Sequence, residues 1–235
     1  MDEIFNGILE AFYLIFTMDP EVMEIARRSL TVSLEATLIA ALIAIPLGAA
    51  VYYFPFRGKR IVVGTIQTLY ALPTVLVGLL VYLMVSNSGP LGAFRLLYTT
   101  NAMVLAQVLL VIPIIAGLTI AALSGLDKEM KYTIQSLNAN ALQAITTLCR
   151  EAKFAILAAV MLAFGRAIAE VGAVMMVGGN IRHFTRTLTT AISLNTSMGE
   201  FATSIALGII LLSIALIVNF AMNIIQTRMG DGKDV

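Results

Sequence analysis

SGLDKEMKYTIQSLNANALQAITTLCREAK (residues 124–153), running straight into FAILAAVMLAFGRAIAEVGAVMMV (154–177), decides the fold of this chain. In the first half the apolar residues Met130, Ile134, Leu137, Ala141, Ile145 and Leu148 recur in steps of three and four, which specifies a helix with one buried stripe. The pattern is interrupted at Asn138-Ala139-Asn140. Asn138 tolerates the left-handed backbone that ends a helix, and Asn140 followed by Gln143 is the capping-box pattern that starts another. A helix-turn-helix is therefore expected. Connections between packed helices usually need only ~2–8 residues, and the polar face here is mixed in sign, which does not suit anionic headgroups. A protein partner is the better reading than a connector resting on lipid.

The second half of the stretch is an apolar run long enough to cross a bilayer. Composition agrees: hydrophobic residues make up 59% of the 235, charged ones only 12%, and mean hydropathy is +0.93. A soluble domain averages about 25% charged residues, so this is an all-α membrane protein with room for about five transmembrane helices. The net charge of +1 gives no reason to expect nucleic acid. With one cysteine, Cys149, there is no internal disulfide and no thiolate metal site. The acidic start, Asp2-Glu3, does not read as a cleavable signal.

Outward from the hairpin, the chain divides into an N-terminal interfacial segment (1–29), a transmembrane domain (30–226, hairpin 124–153) and a tail (227–235). Ile4 to Phe16 is too short to span and reads as an interfacial helix. Asp19 should cap a second short helix with Pro20 in its first turn. The expected spans are Leu30–Tyr53, Ile61–Val85, Ala102–Leu123, Phe154–Val177 and Ala202–Ile225, with Pro46, Pro73 and Pro113 interrupting the first three. With the N-terminus outside, the cytoplasmic segments hold Arg57, Lys59, Arg60, Lys128, Lys131, Arg150, Lys153, Arg228 and Lys233. The outer ones hold Arg27, Arg28, Arg95, Arg182 and Arg186. That imbalance puts the hairpin and the C-terminus in the cytoplasm.

Arg166 and Glu170 stand i, i+4 in the fourth span, so their side chains can meet. A lone charge at mid-bilayer costs at least ~2.5–3.5 kcal/mol, so pairing or a wet cavity is expected. Two readings stay open: a polar element beside a conduction path or its gate, and a structural salt bridge. Glu35, near the outer boundary, reads as a snorkelling side chain. Beyond the fourth span, Arg182, His183 and Arg186 stand among Thr185, Thr187, Thr189 and Thr190. Cations with many hydroxyl donors suit a passing oxyanion, and an ordinary solvated loop is the alternative. His183 is assigned no metal. Cys149 reads as inert packing.

Chemistry-bearing motifs are missing. There is no Gly-x-x-x-x-Gly-Lys-Ser/Thr phosphate loop, no His-Glu-x-x-His and no Gly-x-Ser-x-Gly. No enzyme activity and no cofactor are expected, so energy for any transport must come from a partner.

The hairpin resembles the cytoplasmic loop of ABC-importer permease subunits, which docks into the ATPase. That family's motif reads Glu-Ala-Ala, a Gly six positions after the Glu, then Leu-Pro. This chain has Tyr132-Thr133-Ile134, Asn138 and Cys149-Arg150 at those places. Phe164 to Ala173, the run Met175-Met176-Val177-Gly178-Gly179-Asn180-Ile181, and Thr185 to Ile192 resemble the molybdate and tungstate oxyanion permeases, closest to the tungstate branch. Leu72 to Leu80 is similar to that family's second core span, with Thr74 where a second proline is common. The resemblance implies an ATP-driven importer subunit for tungstate or a related oxyanion, multi-pass in the cell membrane and in contact with lipid. Alternatives are a molybdate or vanadate permease and a gradient-driven secondary transporter. It further implies a homodimer, a cytoplasmic ATPase dimer and an extracytoplasmic oxyanion-binding protein. Coupling to the ATPase would fall to Tyr132, Leu137, Asn138, Ala139, Asn140 and Leu142. Pathway or gate roles would fall to Arg166, Glu170, Asn180, Thr185, Arg186, Thr189 and Thr190.

Overall fold

The computed structural model describes residues 2–127, 129–130, 134, 136 and 139–230. Regular structure among them is helical: α1 (Asp2–Phe16), α2 (Pro20–Tyr53), α3 (Lys59–Thr68), α4 (Thr74–Val85), α5 (Thr100–Ser124), α6 (Ala141–Glu151), α7 (Lys153–Ile168), α8 (Gly172–Gly178), α9 (Leu188–Met198) and α10 (Phe201–Gly230). Helices α2, α5 and α10 are each long and apolar enough to cross a membrane. Two bent pairs, α3 with α4 at 97° and α7 with α8 at 58°, are apolar enough to count as one span each. The described residues thus hold three membrane-length helices, and five spans if each bent pair is one.

The N-terminal region differs from the expectation. Asp19 caps as foreseen, its Oδ1 accepting from Glu21 N at 3.1 Å and Val22 N at 3.0 Å. The helix it starts does not stop before residue 30, however, and runs on through the first span for 34 residues. At 1.5 Å per residue that is about 50 Å, well beyond the ~30 Å hydrocarbon core. Arg27 and Arg28 mark where apolarity begins, not where the helix begins. Ahead of it, α1 packs along α10, with Gly7 against the Ile205 side chain and Thr203 Oγ1 donating to Glu10 Oε1 at 3.1 Å. Its other face exposes Phe5, Phe12 and Phe16, as a helix in contact with lipid requires.

Of the three prolines, only Pro73 breaks a helix. The 3-10 turn Leu69–Ala71 ends in extended Leu72 (ψ 127°) and Pro73 (ψ 119°), and the chain turns there into α4. Proline forbids its predecessor the helical region and supplies no N–H. Pro46 and Pro113, expected to interrupt their spans, lie inside continuous helices. Helices α2 and α5 form the most extensive pair among the described residues, and both continue past their prolines.

The main core gathers Val32, Ala36, Ala40 and Ala44 of α2, Val77 and Val81 of α4, Met103 and Val111 of α5, Ala163 of α7 and Val174 of α8. Small residues at the contacts let helix backbones approach without side chains between them. Gly48 is the tightest case within the α2–α5 pair, where a Cβ would lie 2.5 Å from the Ala116 carbonyl oxygen. On α10, Gly208 faces open space. Gly48→Ala should therefore cost about 1–3 kcal/mol by overpacking, lowering the thermal midpoint of the detergent-purified protein, while Gly208→Ala leaves it unchanged or raises it.

Candidate functional site

Three parts of this fold carry polar chemistry: the break between α7 and α8, the loop between α8 and α9, and the hairpin. The break comes first because it holds the intramembrane charges. Arg166 Nη1 donates to Glu170 Oε2 at 2.8 Å, while Glu170 Oε1 accepts from Ala173 N at 3.1 Å. The carboxylate therefore neutralises a cation and caps the start of α8, where the helix dipole favours negative charge. Glu170 is 3% exposed, whereas the Arg166 side chain is 40% exposed. The guanidinium opens on a groove of ≈ 620 Å³ lined by Tyr70, Ile114, Leu118, Leu162 and Asn219. The two readings of the pair meet in one geometry: Glu170 is structural, and Arg166 reaches an open flank.

Two side chains from elsewhere complete the break. Gln107 of α5, 3% exposed, donates from Nε2 to Ala167 O at 3.0 Å. Thr189 of α9 donates from Oγ1 to Glu170 O at 2.9 Å. Gln107 went unnoticed in the sequence, yet it had a signal: it and Thr119 are the polar side chains in the apolar run 102–123.

The loop from Gly179 to Thr187 is bound tightly to the rest. Thr185 Oγ1 donates to Gly178 O and accepts from Ile181 N. Thr187 and Thr190 form a reciprocal capping box at the start of α9. Asn180, left-handed at φ 50°, donates from Nδ2 to Thr190 O at 3.3 Å. The hydroxyl protons of Thr185, Thr189 and Thr190 are thus spent on backbone carbonyls and are not offered to an ion in this conformation. The reason is burial, for an unmatched hydroxyl there would forfeit its hydrogen bonds to water.

The cations of this loop are likewise engaged, with carboxylates from the first turns of α2. Arg182 grips Glu21 through Nε at 2.8 Å and through Nη2, and this pairing raises the Arg182 pKa. His183 Nδ1 lies 3.0 Å from Glu24 Oε2, and Arg186 Nη1 lies 3.8 Å from Glu21 Oε1. Arg28 closes the clasp, pairing with Glu24 and donating to the Arg186 and His183 carbonyls at 3.0 Å. The loop's arginines are therefore paired with carboxylates where a free cationic cluster is expected from sequence.

In the hairpin, Tyr132, Leu137 and Asn138 lie outside the described residues. Ala139 N donates to Ile134 O at 3.4 Å across the turn. Asn140 and Gln143 make both halves of the capping box. Ile134, Ala144 and Leu148 are buried against Ala49 and Leu123, at the ends of α2 and α5. Ala144 sits at the centre of that contact, one step from the expected Ala141. Leu142 points the other way and is 72% exposed. Burial raises the Cys149 pKa, keeping a protonated thiol that packs rather than reacts.

Comparison with known proteins places this geometry. The profile of a family described as "Binding-protein-dependent transport system inner membrane component" matches residues 37–231. The chain is 41% identical over 220 residues to the tungstate uptake system permease protein TupB of Campylobacter jejuni, covering 94% of this chain and 92% of that one. It is 42% identical over 226 residues to the TupB of Peptoclostridium acidaminophilum, covering 96% and 99%. Among solved structures, a bacterial ABC transporter importing the polysaccharide alginate matches with a TM-score of 0.75 at 16% identity, covering 93% of this chain and 83% of that one. The MetNI methionine ABC transporter, inward facing, matches at 0.72 and 15%, covering 90% and 97%.

Because Glu170 both neutralises Arg166 and caps α8, Glu170→Gln should destabilise the purified protein by on the order of 3 kcal/mol, seen as a lower thermal midpoint. Adding Arg166→Met should recover part of that loss, since the unpaired cation is then gone. A double variant no more stable than Glu170→Gln alone would show that the pairing matters less than the cap.

Proposed function

The chain belongs to the family of binding-protein-dependent transport system inner membrane components, and from that membership we propose that it is the translocating subunit of an ATP-driven tungstate importer. One observation carries the substrate: 41–42% identity over nearly the whole chain to two tungstate permeases. Subunits of this kind are not enzymes themselves. Here the chain lacks a phosphate loop, so hydrolysis belongs to a separate cytoplasmic ATPase dimer. The transmembrane domain, 30–226, is the conduit, and the hairpin within it is the handle.

Force from the ATPase enters through residues 127–153, with Tyr132, Leu137, Asn138, Ala139, Asn140 and Leu142 in the coupling role. Supporting this, the hairpin packs its apolar stripe on α2 and α5 and leaves Leu142 outward, so a push on it is transmitted instead of absorbed. The N-terminus is outside and the hairpin inside, in line with the heavier Lys/Arg load at the hairpin end. A binding protein delivers the anion to the opposite end, where the clasped loop lies.

Two copies pack about a two-fold axis within the lipid. The Arg166 groove favours this, because a cation turned toward hydrocarbon costs at least ~2.5–3.5 kcal/mol. Against a second copy, that flank becomes the wall of a wet path. Arg166 then supplies positive potential to a passing dianion, with Glu170 keeping the net charge low enough for release. Asn180, Thr185, Thr189 and Thr190 frame the outer gate through their bonds within the loop, to the end of α8 and to the break, and Arg186 through its contact with Glu21 of α2.

The docking role is tested by co-purification. Tagged protein should bring down the ATPase, and Leu142→Glu should cut recovery about tenfold or more while leaving the subunit in the membrane; Leu142→Met should not. Undiminished ATPase recovery with Leu142→Glu would overturn the assignment.

A further inference from the structure

In an unbroken helix, Ala167 O would accept from Val171 N and Glu170 O from Val174 N, four residues on. At the α7–α8 break other donors take their places. Ala167 O accepts from Glu170 N at 3.1 Å and from Gln107 Nε2 at 3.0 Å. Glu170 O accepts from Thr189 Oγ1 at 2.9 Å. The bend is thus stabilised by one side chain from α5 and one from α9, each replacing a backbone bond that straightening would restore.

Gln107 is not at ease in this arrangement. Its Oε1 is buried and has no hydrogen-bond partner. Rotating the amide offers no relief, because only the NH₂ can face a carbonyl. The bent form therefore holds Gln107 by its amide hydrogens alone, on the Ala167 carbonyl. Meanwhile the far side of the break is welded to a neighbour. A Cβ on Gly78 would lie 2.7 Å from Ala173 Cα, and one on Gly172 would lie 2.9 Å from Val75 Cγ2. With so little between them, α8 and α4 are in close contact, and the turn at Pro73 sets α4 at 97° to α3.

We propose that Gln107 and Thr189 are positioning residues of the transport cycle: their bonds to Ala167 O and Glu170 O set the bent state, and their release lets the span straighten. This rests on the transport reading above. Straightening swings α8, with α4 and the clasped loop, relative to α7 and the hairpin side. Neither residue touches the transported ion in this role. Each acts through the backbone of the span that carries Arg166.

The test uses the whole complex, with ATPase and binding protein, reconstituted in proteoliposomes, and reads two quantities. One is tungstate ions imported per ATP hydrolysed. The other is the distance between spin labels at Ala158→Cys and Ile181→Cys, on either side of the break, in a Cys149→Ser background. Gln107→Leu and Thr189→Val should each move the resting distance distribution toward the longer, straight form and lower the import ratio about fivefold or more. Thr189→Ser, which keeps the hydroxyl, should restore both. If Gln107→Leu does not assemble, the Thr189→Val and Thr189→Ser pair decides alone. Unchanged distances and an unchanged ratio in the assembled variants would overturn the proposal, as would import and hydrolysis falling together at constant ratio. A wild-type complex that imports no tungstate counts against the transport reading instead, since the label distances report on the hinge whether or not an ion moves.

Discussion

Backbone polar groups inside a bilayer find no water, so every interruption of a helix must be repaired by the protein itself. That constraint organises this structure more than any single contact. At the α7–α8 break, Gln107, Thr189 and the Glu170 carboxylate meet Ala167 O, Glu170 O and Ala173 N. At the far end of α8, Tyr98 N donates to Val177 O and Thr185 Oγ1 to Gly178 O. The repairs draw on side chains from outside the broken span, Gln107 of α5 and Thr189 of α9 among them.

Charge follows the same logic. Three arginines at the end opposite the hairpin, Arg28, Arg182 and Arg186, and the His183 ring face Glu21 and Glu24 on the first turns of α2. Long α2 thereby reaches from this clasp to the hairpin, where its last turns pack with α5 against Ile134 and Leu148. One continuous helix links the end where an anion would arrive to the end where an ATPase would push. The Arg182 and His183 pairs are exposed and individually weak, whereas the Arg28 and Arg186 side chains are largely buried.

Much of this was legible in the residues, and the failures share a cause. The capping box at Asn140 and Gln143, the Asp19 cap and the turn at Pro73 were readable because each is encoded within a few positions. The α7–α8 break was not: Ala167 to Gly172 contains no proline, and the bend depends on Gln107 60 positions away and Thr189 19 positions beyond Glu170. The clasp was missed for the same reason, since Arg182 meets Glu21 across 161 positions. Local chemistry sets caps and turns; which carbonyl a distant amide reaches is settled only by packing. The short helix expected after Asp19 failed differently, because hydropathy locates the membrane edge and the helix simply continues through it.

ATP-dependent tungstate accumulation in proteoliposomes probes the central claim most directly. Vesicles holding this subunit together with its ATPase and binding protein should concentrate tungstate only when ATP is supplied, and the subunit alone should not concentrate it under any ion gradient. Accumulation by the lone subunit at the rate of the full complex would contradict the account.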